Sequence, residues 1–465
     1  MRYILNPDIA LRSWELVPFA YYKRNNRLAI GLKKEEFEQL LYCDGNHELE
    51  TNDLIASLIE KDLCRPCDEE IQLTDWQKPL FCENRYFPAM NWAITCRCNY
   101  NCLHCFNAAD NDILTTKFSW EECVSLLDEA QACGINAFTL TGGEPMLHPN
   151  FLDIIKGIHS RGMYVEELNT NGSFITERIL DGMKQIGCNP LIKISFDGLG
   201  HHDWLRNQKG AEQSALHAIR LSIDKGFQVK IQTNVHRLNH NTMLPTAEFM
   251  DSLGVSEMRI IRTTESPRWA ENSKNYCKDG ACLSFEEYYN FGLEFTKQYI
   301  AKQCKMNISI WQFLHFSPVG QIYHRRPVEG GSCYRDGSPV CRGNRMMVAV
   351  NANGNVVPCM QMSGYYEKNK DILGNVKTDG LKRLLSAGNY MNEVCATVGM
   401  LAGENEKCGK CKYFKDCMGG CRAIGLALTD SKFGSDLAKC FYFNNGYKEK
   451  TDQVFEKSTY RCVDE

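Results

Sequence analysis

The stretch Cys98-Asn-Tyr-Asn-Cys102-Leu-His-Cys105 directly follows a short apolar segment, Trp92–Thr95, that we predict to be a β-strand. One loop can wrap the three thiolates around a single metal centre. Structural zinc sites usually close with four protein ligands, whereas an iron-sulfur cubane held by three cysteines can offer its fourth iron to a small molecule. Cys96 could add a ligand, although in a strand its side chain would share a face with Cys98 and point to the sheet. The spacing predicts an open iron-sulfur centre, and the alternative is a group of unrelated thiols.

Short strands alternate with amphipathic helices on both sides of this loop. Six βα units in series predict a parallel sheet closed wholly or partly into a barrel, with the chemistry at the carboxyl ends of the strands. We therefore expect an α/β fold built on a partial (β/α)6 TIM-like barrel. The predicted strands are Trp92–Thr95, Ala137–Leu140, Tyr164–Asn169, Leu191–Phe196, Val229–Thr233 and Met258–Ile261. The predicted helices are Trp120–Ala132, Asn150–Ser160, Thr176–Ile186, Gln213–Asp224, Asn241–Leu253 and Phe285–Lys302.

Composition excludes several classes of protein. The 465 residues include 53 basic and 57 acidic side chains, and this balance argues against a dedicated nucleic-acid binder. Hydrophobic residues make up 43%, so the chain is not disordered. Asn6, Asp8 and Arg12 interrupt the apolar N-terminus, and the longest uncharged stretch, Met346–Tyr366, is unsuited to lipid, so we expect neither a secretory signal nor a membrane span. For a chain expected to be cytoplasmic, 24 cysteines favour metal ligands over disulfides.

Polar motifs follow the next three predicted strands. They are Gly142-Gly143-Glu144-Pro145, Asn169-Thr-Asn171-Gly172 and Ser195-Phe-Asp197-Gly198. Adjacent glycines permit close approach of a backbone, and Glu144 can accept a hydrogen bond from a cation. Arg206 offers the bidentate fork that suits a carboxylate. The alternatives are a simple turn, a capped strand end and a solvated loop charge.

With the aromatic-type residue His104 before its last cysteine, the triad resembles that of the radical S-adenosylmethionine (radical SAM) superfamily, and Gly142–Pro145 resembles the family's GGEP element. The resemblance implies a 4Fe-4S cluster on the catalytic residues Cys98, Cys102 and Cys105, which cleaves S-adenosylmethionine reductively. It also implies a set of cofactor-binding residues. These are Gly142, Gly143 and Glu144 at the methionine ammonium, Ser195 at the ribose, Arg206 at the carboxylate, Val235 with its neighbours at the adenine, and in addition His104 and Asn171.

Seven cysteines near the C-terminus have the pattern Cys341-x12-Gly354-x4-Cys359, a gap, Cys408-x2-Cys411-x5-Cys417-x3-Cys421, a gap and Cys440. The pattern resembles the SPASM signature, which accompanies radical enzymes acting on peptides and proteins. The resemblance implies interleaved ligand sets and thus three 4Fe-4S clusters per chain: auxiliary cluster I on Cys333, Cys341, Cys359 and Cys421, and auxiliary cluster II on Cys408, Cys411, Cys417 and Cys440. A pair of zinc knuckles is the competing interpretation. We also predict a hairpin over Met347–Cys359 that turns at Asn353-Gly354.

The N-terminal part has the outline of a small winged-helix domain. A hairpin centred on residues 24–27 precedes helices over Lys33–Tyr42 and Asn52–Glu60. This order resembles the RiPP recognition element, which binds the leader of a ribosomally made precursor peptide by strand addition. We expect a leader-binding domain at residues 1–70, a linker at 71–86, the barrel at 87–303 and the SPASM domain at 304–465.

The expected function is that of a radical SAM oxidoreductase that matures a RiPP precursor peptide, with a thioether or C–C crosslink as the expected product. Its expected partners are the precursor peptide and a flavodoxin- or ferredoxin-type electron donor, without nucleic acid or membrane. One alternative is a protein oxidase of the anaerobic sulfatase-maturating type. Another is a zinc-stabilised binding module for peptide or nucleic acid, which the complete set of barrel motifs disfavours.

Overall fold

The computed structural model describes residues 1–68, 71–105, 116–263, 281–319, 322–326 and 334–456. The N-terminal part combines two small sheets with two helices. Its strands are β1 (Arg2–Leu5), β2 (Ile9–Trp14), β3 (Val17–Lys23), β4 (Ile30–Gly31), β5 (Asp44–Glu48), β6 (Cys64–Cys67) and β7 (Leu80–Phe81). The strand orders in the two sheets are β5-β1-β6 and β4-β3-β2-β7. Its helices are α1 (Lys34–Leu41) and α2 (Asp53–Glu60). Tyr21 of β3 pairs with Ile30 of β4, as the predicted hairpin requires. The winged-helix assignment itself stays a prediction.

The N-terminal part packs directly on the barrel. The indole N–H of the buried Trp14 donates to the Cys133 carbonyl at 3.0 Å, and the Tyr22 hydroxyl donates to the Gly134 carbonyl at 3.1 Å. The segment expected to be a linker also takes part, because β7 pairs with β2 of the N-terminal part and Asn84 donates to the Cys133 carbonyl of the barrel at 3.1 Å. Residues 71–86 are thus built into the contact between the two parts.

Seven parallel strands, β8 to β14, lie side by side in chain order and form the barrel wall. Every predicted strand and helix of this region is present with its boundaries within three residues of the prediction. The strands are β8 (Ala89–Thr95), β9 (Ala137–Gly142), β10 (Tyr164–Thr170), β11 (Leu191–Ser195), β12 (Val229–Val235), β13 (Glu257–Arg262) and β14 (Asn307–Ile310). The helices are α3 (Trp120–Ala132), α4 (Phe151–Ser160), α5 (Glu177–Gln185), α6 (His202–Arg206), α7 (Ala211–Asp224), α8 (Met243–Leu253) and α9 (Phe285–Ala301). The partial barrel is confirmed, and β14 extends it beyond the six expected strands.

The two faces of the barrel sheet differ in chemistry because side chains alternate along each strand. Isoleucines such as Ile194, Ile231 and Ile260 are buried in the main hydrophobic core, on the face that the helices cover. The residues between them on β10 to β14 are mostly polar or charged and face the lumen. The lumen is therefore a polar chamber bounded by an apolar layer.

The C-terminal part joins both ends of the barrel sheet. Its strands are β15 (Leu314–Val319), β16 (Ile322–Arg326), β17 (Met347–Val350) and β18 (Val356–Val357). β15 and β16 extend the sheet beyond β14, and β17 pairs in parallel with β8 at the other end. Its helices are α10 (Arg342–Met346), α11 (Ser363–Asn369), α12 (Leu381–Leu384), α13 (Asn389–Val394), α14 (Val398–Glu404), α15 (Glu406–Gly409), α16 (Phe414–Cys417), α17 (Arg422–Thr429), α18 (Leu437–Asn444) and α19 (Tyr447–Glu456).

The predicted C-terminal hairpin is confirmed. Ala349 pairs with Val357, and Gly354 in the connecting turn has a φ of +93°, a backbone conformation that glycine adopts without strain. Over the described ranges, none of the helices combines the length and the apolar character needed to cross a bilayer.

Candidate active site

Cys98, Cys102 and Cys105 come together at the carboxyl end of β8, where they pack with Tyr100 and Ala211. Burial raises the pKa of the Cys98 thiol to about 12, and the nearby thiols of Cys102 and Cys105 also raise it. Such a group of shielded sulfur donors on one loop is the donor set of an iron-sulfur cluster, whose iron would keep the thiolates deprotonated. The residues therefore fit the implied group.

The Cys96 side chain packs against the main barrel core, and Cys105 contributes to the raised pKa of its thiol. Its expected exclusion from the ligand set stays a prediction.

Gly142 and Gly143 lie against the chain segment that enters the cysteine loop. A Cβ atom on Gly142 would lie 2.2 Å from the Thr95 carbonyl oxygen, and one on Gly143 would lie 2.3 Å from the Arg97 carbonyl oxygen. The Gly143 N–H donates to Thr95 at 2.8 Å, and the Glu144 N–H donates to Arg97 at 2.7 Å. The close backbone approach predicted for these glycines is thus made by the protein's own chain.

Glu144 is fully buried and connects β9 to β10. The Thr170 hydroxyl lies 3.0 and 2.9 Å from its two carboxylate oxygens, and the Asn171 N–H donates to it at 2.9 Å. Burial raises the pKa of Glu144 to about 7, and these hydrogen bonds oppose the increase. The carboxylate is used by Thr170 and Asn171 of the protein itself. The contact of this motif with an ammonium group stays a prediction, and the backbone carbonyls of the motif would make it.

Asn171 links the end of β10 to the cysteine loop. Its side-chain amide donates to the Asn99 side-chain oxygen at 2.9 Å and lies 4.0 Å from the Cys98 sulfur. Asn171 thus helps to position the cysteine loop. Its predicted contact with the cofactor stays a prediction. Asn99, inside the triad itself, is a participant that the sequence analysis missed.

Asp197, at the end of β11, is the fully buried centre of a second network. Arg206 donates to it from Nε at 2.7 Å and from Nη2 at 3.1 Å, the Asn234 N–H donates at 3.0 Å, and His202 Nδ1 lies 3.2 Å away. Burial alone would raise the pKa of Asp197, but Arg206 and His202 hold it well below the usual range. The sequence signal was weak, because an aspartate that follows a strand is equally well explained as a loop residue.

This network gives Arg206 a partner within the protein. Asp197 occupies the guanidinium fork, and Nη1 lies 3.9 Å from the Cys102 sulfur. The expected contact of Arg206 with the methionine carboxylate stays a prediction. Arg206 and Asp197 meet because the short helix α6 brings Arg206 back towards the end of β11. Arg206 is thus placed beside a predicted cluster ligand.

The remaining predicted cofactor residues occupy different positions. His104 Nε2 lies 3.1 Å from the Asn234 amide nitrogen, and burial lowers the pKa of His104 to about 3, so the imidazole is neutral. Ser195 is half-buried on the lumen face. The Val235 side chain packs in the hydrophobic core, because its position in β12 faces the helices, so any contact with adenine would come from its backbone.

Electrostatic effects connect neighbouring cysteines of the C-terminal part, and the interleaved ligand sets stay a prediction. Cys359 is influenced electrostatically by Cys341, and Cys421 by Cys359, whereas Cys440 is influenced by Cys408 and Cys411, and Cys417 by Cys440. Burial raises the pKa of Cys359 to about 11 and the pKa values of Cys417 and Cys421 to about 12. Cys333 lies outside the described residues.

Comparisons with known proteins agree with this geometry. Residues 92–250 match the Radical SAM superfamily, and residues 341–418 match SPASM, an iron-sulfur cluster-binding domain. The AdoMet-dependent heme synthase of Methanosarcina barkeri is 25% identical over 346 residues, which are 73% of this chain and 92% of that protein. The mycofactocin maturase MftC of Mycobacterium ulcerans is 24% identical over 348 residues, 72% and 82% of the two chains.

Two solved structures share the fold. SuiB of Streptococcus suis, bound to precursor peptide SuiA, has a TM-score of 0.61 at 13% identity and covers 93% of this chain and 98% of its own. The enzyme anSMEcpe with bound AdoMet has a TM-score of 0.57 at 16% identity, with coverage of 80% and 95%. Fold and motifs thus agree with the two matched domains. This chain contains a radical SAM domain over residues 92–250 and a SPASM domain over residues 341–418, and it is a radical SAM enzyme that uses 4Fe-4S clusters and S-adenosylmethionine.

Proposed function

We propose that this enzyme modifies a ribosomally made precursor peptide whose leader binds residues 1–70. The observation that carries the proposal is the extent of the fold match to SuiB, bound to precursor peptide SuiA, which covers 93% of this chain. anSMEcpe, also solved with a Cp18Cys peptide, covers 80%. Both of these structures hold a bound peptide, and this supports a peptide substrate for this chain.

Different residues of the chain are proposed to hold the cluster and S-adenosylmethionine at the active site. Cys98, Cys102 and Cys105 would hold the catalytic cluster, and the backbone of residues 142–144 with Ser195 would hold S-adenosylmethionine. When bound, these cofactors supply the 5'-deoxyadenosyl radical, which abstracts a hydrogen atom from the peptide. Arg206 places a positive charge beside Cys102 and thereby favours its thiolate form. The polar lumen below this site would receive the residue to be modified.

The C-terminal domain would complete the oxidation. Abstraction of one hydrogen atom leaves a peptide radical, and closing a crosslink from it requires the loss of a second electron. The two auxiliary clusters, on the cysteine sets given above and including Cys333, are the proposed acceptors, and they make three clusters in all. A flavodoxin- or ferredoxin-type protein would supply the first electron. The 24 cysteines suit a reducing cytoplasm.

The test compares two triple variants after anaerobic reconstitution. Replacement of Cys98, Cys102 and Cys105 by Ala should abolish formation of 5'-deoxyadenosine under dithionite, while the absorbance of the auxiliary clusters persists. The matched control replaces three buried cysteines outside the predicted ligand sets, Cys123, Cys133 and Cys188. Continued cleavage by the first variant would place the site elsewhere. Peptide modification is then tested with a short precursor encoded beside the gene, and an active enzyme that leaves this peptide unmodified would count against the proposed substrate.

A further inference from the structure

One row of polar side chains crosses four neighbouring strands on the lumen face of the barrel. Ser195 of β11 is in register with Gln232 of β12, Gln232 with Arg259 of β13, and Arg259 with Ser309 of β14. All four are half-buried, whereas the residues that precede them in these strands are buried in the core. The row therefore faces the lumen, two residues, or about 7 Å, below the level of Asn234 and the mouth.

Arg259 is a cation of this region with no carboxylate in salt-bridge contact in the described part of the chain. One level deeper in the lumen, Lys193 is paired with Glu167 at 2.7 Å, and Lys230 is paired with Glu257 at 2.7 Å. Arg259 makes no such pair with any residue that the structure describes, and its Nε is buried without a hydrogen-bond partner there. Glu167 is near enough for Arg259 to help lower the pKa of its carboxyl group, but that carboxylate is already bonded to Lys193. A half-buried guanidinium with a buried, unpartnered Nε and no contacting carboxylate can accept an anionic group, and such a group is expected to complete this site when it binds.

The row lies between two cofactor sites. Ser195, at one end, is the residue predicted to contact the ribose. Towards the other end, Arg259 is close enough to Cys359, a predicted ligand of auxiliary cluster I, for its charge to counteract the effect of burial on that thiol. A substrate that reacts with the radical and then passes an electron to an auxiliary cluster must occupy the space between these sites.

We propose that Arg259, with Gln232 and Ser309 beside it, binds a carboxylate of the peptide substrate, an Asp or Glu side chain close to the modified residue. The guanidinium can bind a carboxylate with two parallel hydrogen bonds, and the Gln232 amide and the Ser309 hydroxyl are further donors. The proposal rests on the proposed function and specifies its substrate class. The methionine carboxylate of S-adenosylmethionine is the other source of this chemistry.

The test measures retention of peptides by the reconstituted full-length enzyme in equilibrium dialysis. Two pools of short synthetic peptides are compared. In both pools the ends are acetylated and amidated, and the random positions contain only uncharged residues. The pools differ in one fixed central residue, which is Glu in one and Gln in the other. The wild type should retain the Glu pool about tenfold better, as expected for a hydrogen bond to a charged group. Arg259→Gln should abolish the preference, Arg259→Lys should keep part of it, and the control Arg178→Gln, on the exposed face of α5, should keep all of it.

Equal retention of both pools by the wild type, or a Glu preference that survives in Arg259→Gln, would overturn the proposal. Retention of S-adenosylmethionine, measured in the same cells, should not change in Arg259→Gln. Its loss without any pool preference would assign Arg259 to the methionine carboxylate instead. If Arg259→Gln fails to fold, the wild-type and Arg259→Lys measurements decide the matter. Because retention is measured rather than turnover, a Glu preference without peptide modification would support the subsite and count against the proposed function alone.

Discussion

Arg206 and Asp197 form a buried, bidentate ion pair beside Cys102, with N–O distances of 2.7 and 3.1 Å. The aspartate also receives the Asn234 N–H, and the Asn234 side chain reaches His104. The pair therefore connects the ends of two strands to the cysteine loop, so its loss should affect both stability and the cluster site.

Asp197→Asn should destabilise the apoprotein by about 3–5 kcal/mol, because it leaves the buried Arg206 charge without its counter-ion. Urea denaturation measures the loss, and 5'-deoxyadenosine formation by the reconstituted variant should fall as well. Glu177→Gln is a suitable control, since that carboxylate pairs with Lys225 while 73% of its side chain is exposed, and its denaturation midpoint should hardly change. Equal effects of the two substitutions would mean that the buried pair does not stabilise the fold.

Iron analysis should give about twelve iron atoms per chain after anaerobic reconstitution, as three four-iron cubanes require. Replacing Cys341, Cys359 and Cys421 together by Ala should lower this number by about four and leave the other two clusters visible by electron paramagnetic resonance. The Cys188→Ala variant should keep the full content. Zinc in place of iron at these positions would establish the zinc-knuckle interpretation.

Glu144 should make the stability of the apoprotein dependent on pH. Its pKa is raised to about 7 by burial, so the protonated form is favoured in the folded state. Its contribution is fully present below the ordinary pKa of a glutamate, about 4.3, and is lost as the pH rises through about 7. The melting temperature of the wild type should therefore fall between pH 5 and pH 8 more than that of Glu144→Gln. Identical pH profiles would show that Glu144 does not titrate in this range.

Trp14→Phe should weaken the attachment of the N-terminal part to the barrel. It removes one of the two donors to the buried Cys133 carbonyl, which also accepts a hydrogen bond from the Asn84 side chain at 3.1 Å, and a net loss of about 0.5–1.5 kcal/mol is expected. Trp120→Phe is the control, because Trp120 is 36% exposed at the start of α3. Limited proteolysis between the two parts should become faster only in Trp14→Phe, and equal cleavage rates in all three proteins would contradict the role assigned to this hydrogen bond.

The barrel was predictable because strand and helix periodicities repeat in it with clear caps, such as Ser119 before α3. The short strands were not predictable: β14 has four residues, and β1 and β6 carry no alternating pattern of their own because pairing with neighbours defines them. At the site, cysteine spacing identified the triad. The partner of Arg206 could not be read from the sequence, since which acid it meets depends on how α6 turns back towards β11.

The close packing that glycine permits at positions 142 and 143 has a consequence for engineering. Because the carbonyls of Thr95 and Arg97 fill the space that a Cβ would need, the Gly142-Gly143 turn and the start of the cysteine loop are packed as one unit. A chimera with the cysteine loop of a relative and the glycine turn of this chain would join two segments whose backbones are not complementary. Exchange between family members should therefore succeed only when residues 95–105 and 142–145 are transplanted as a unit.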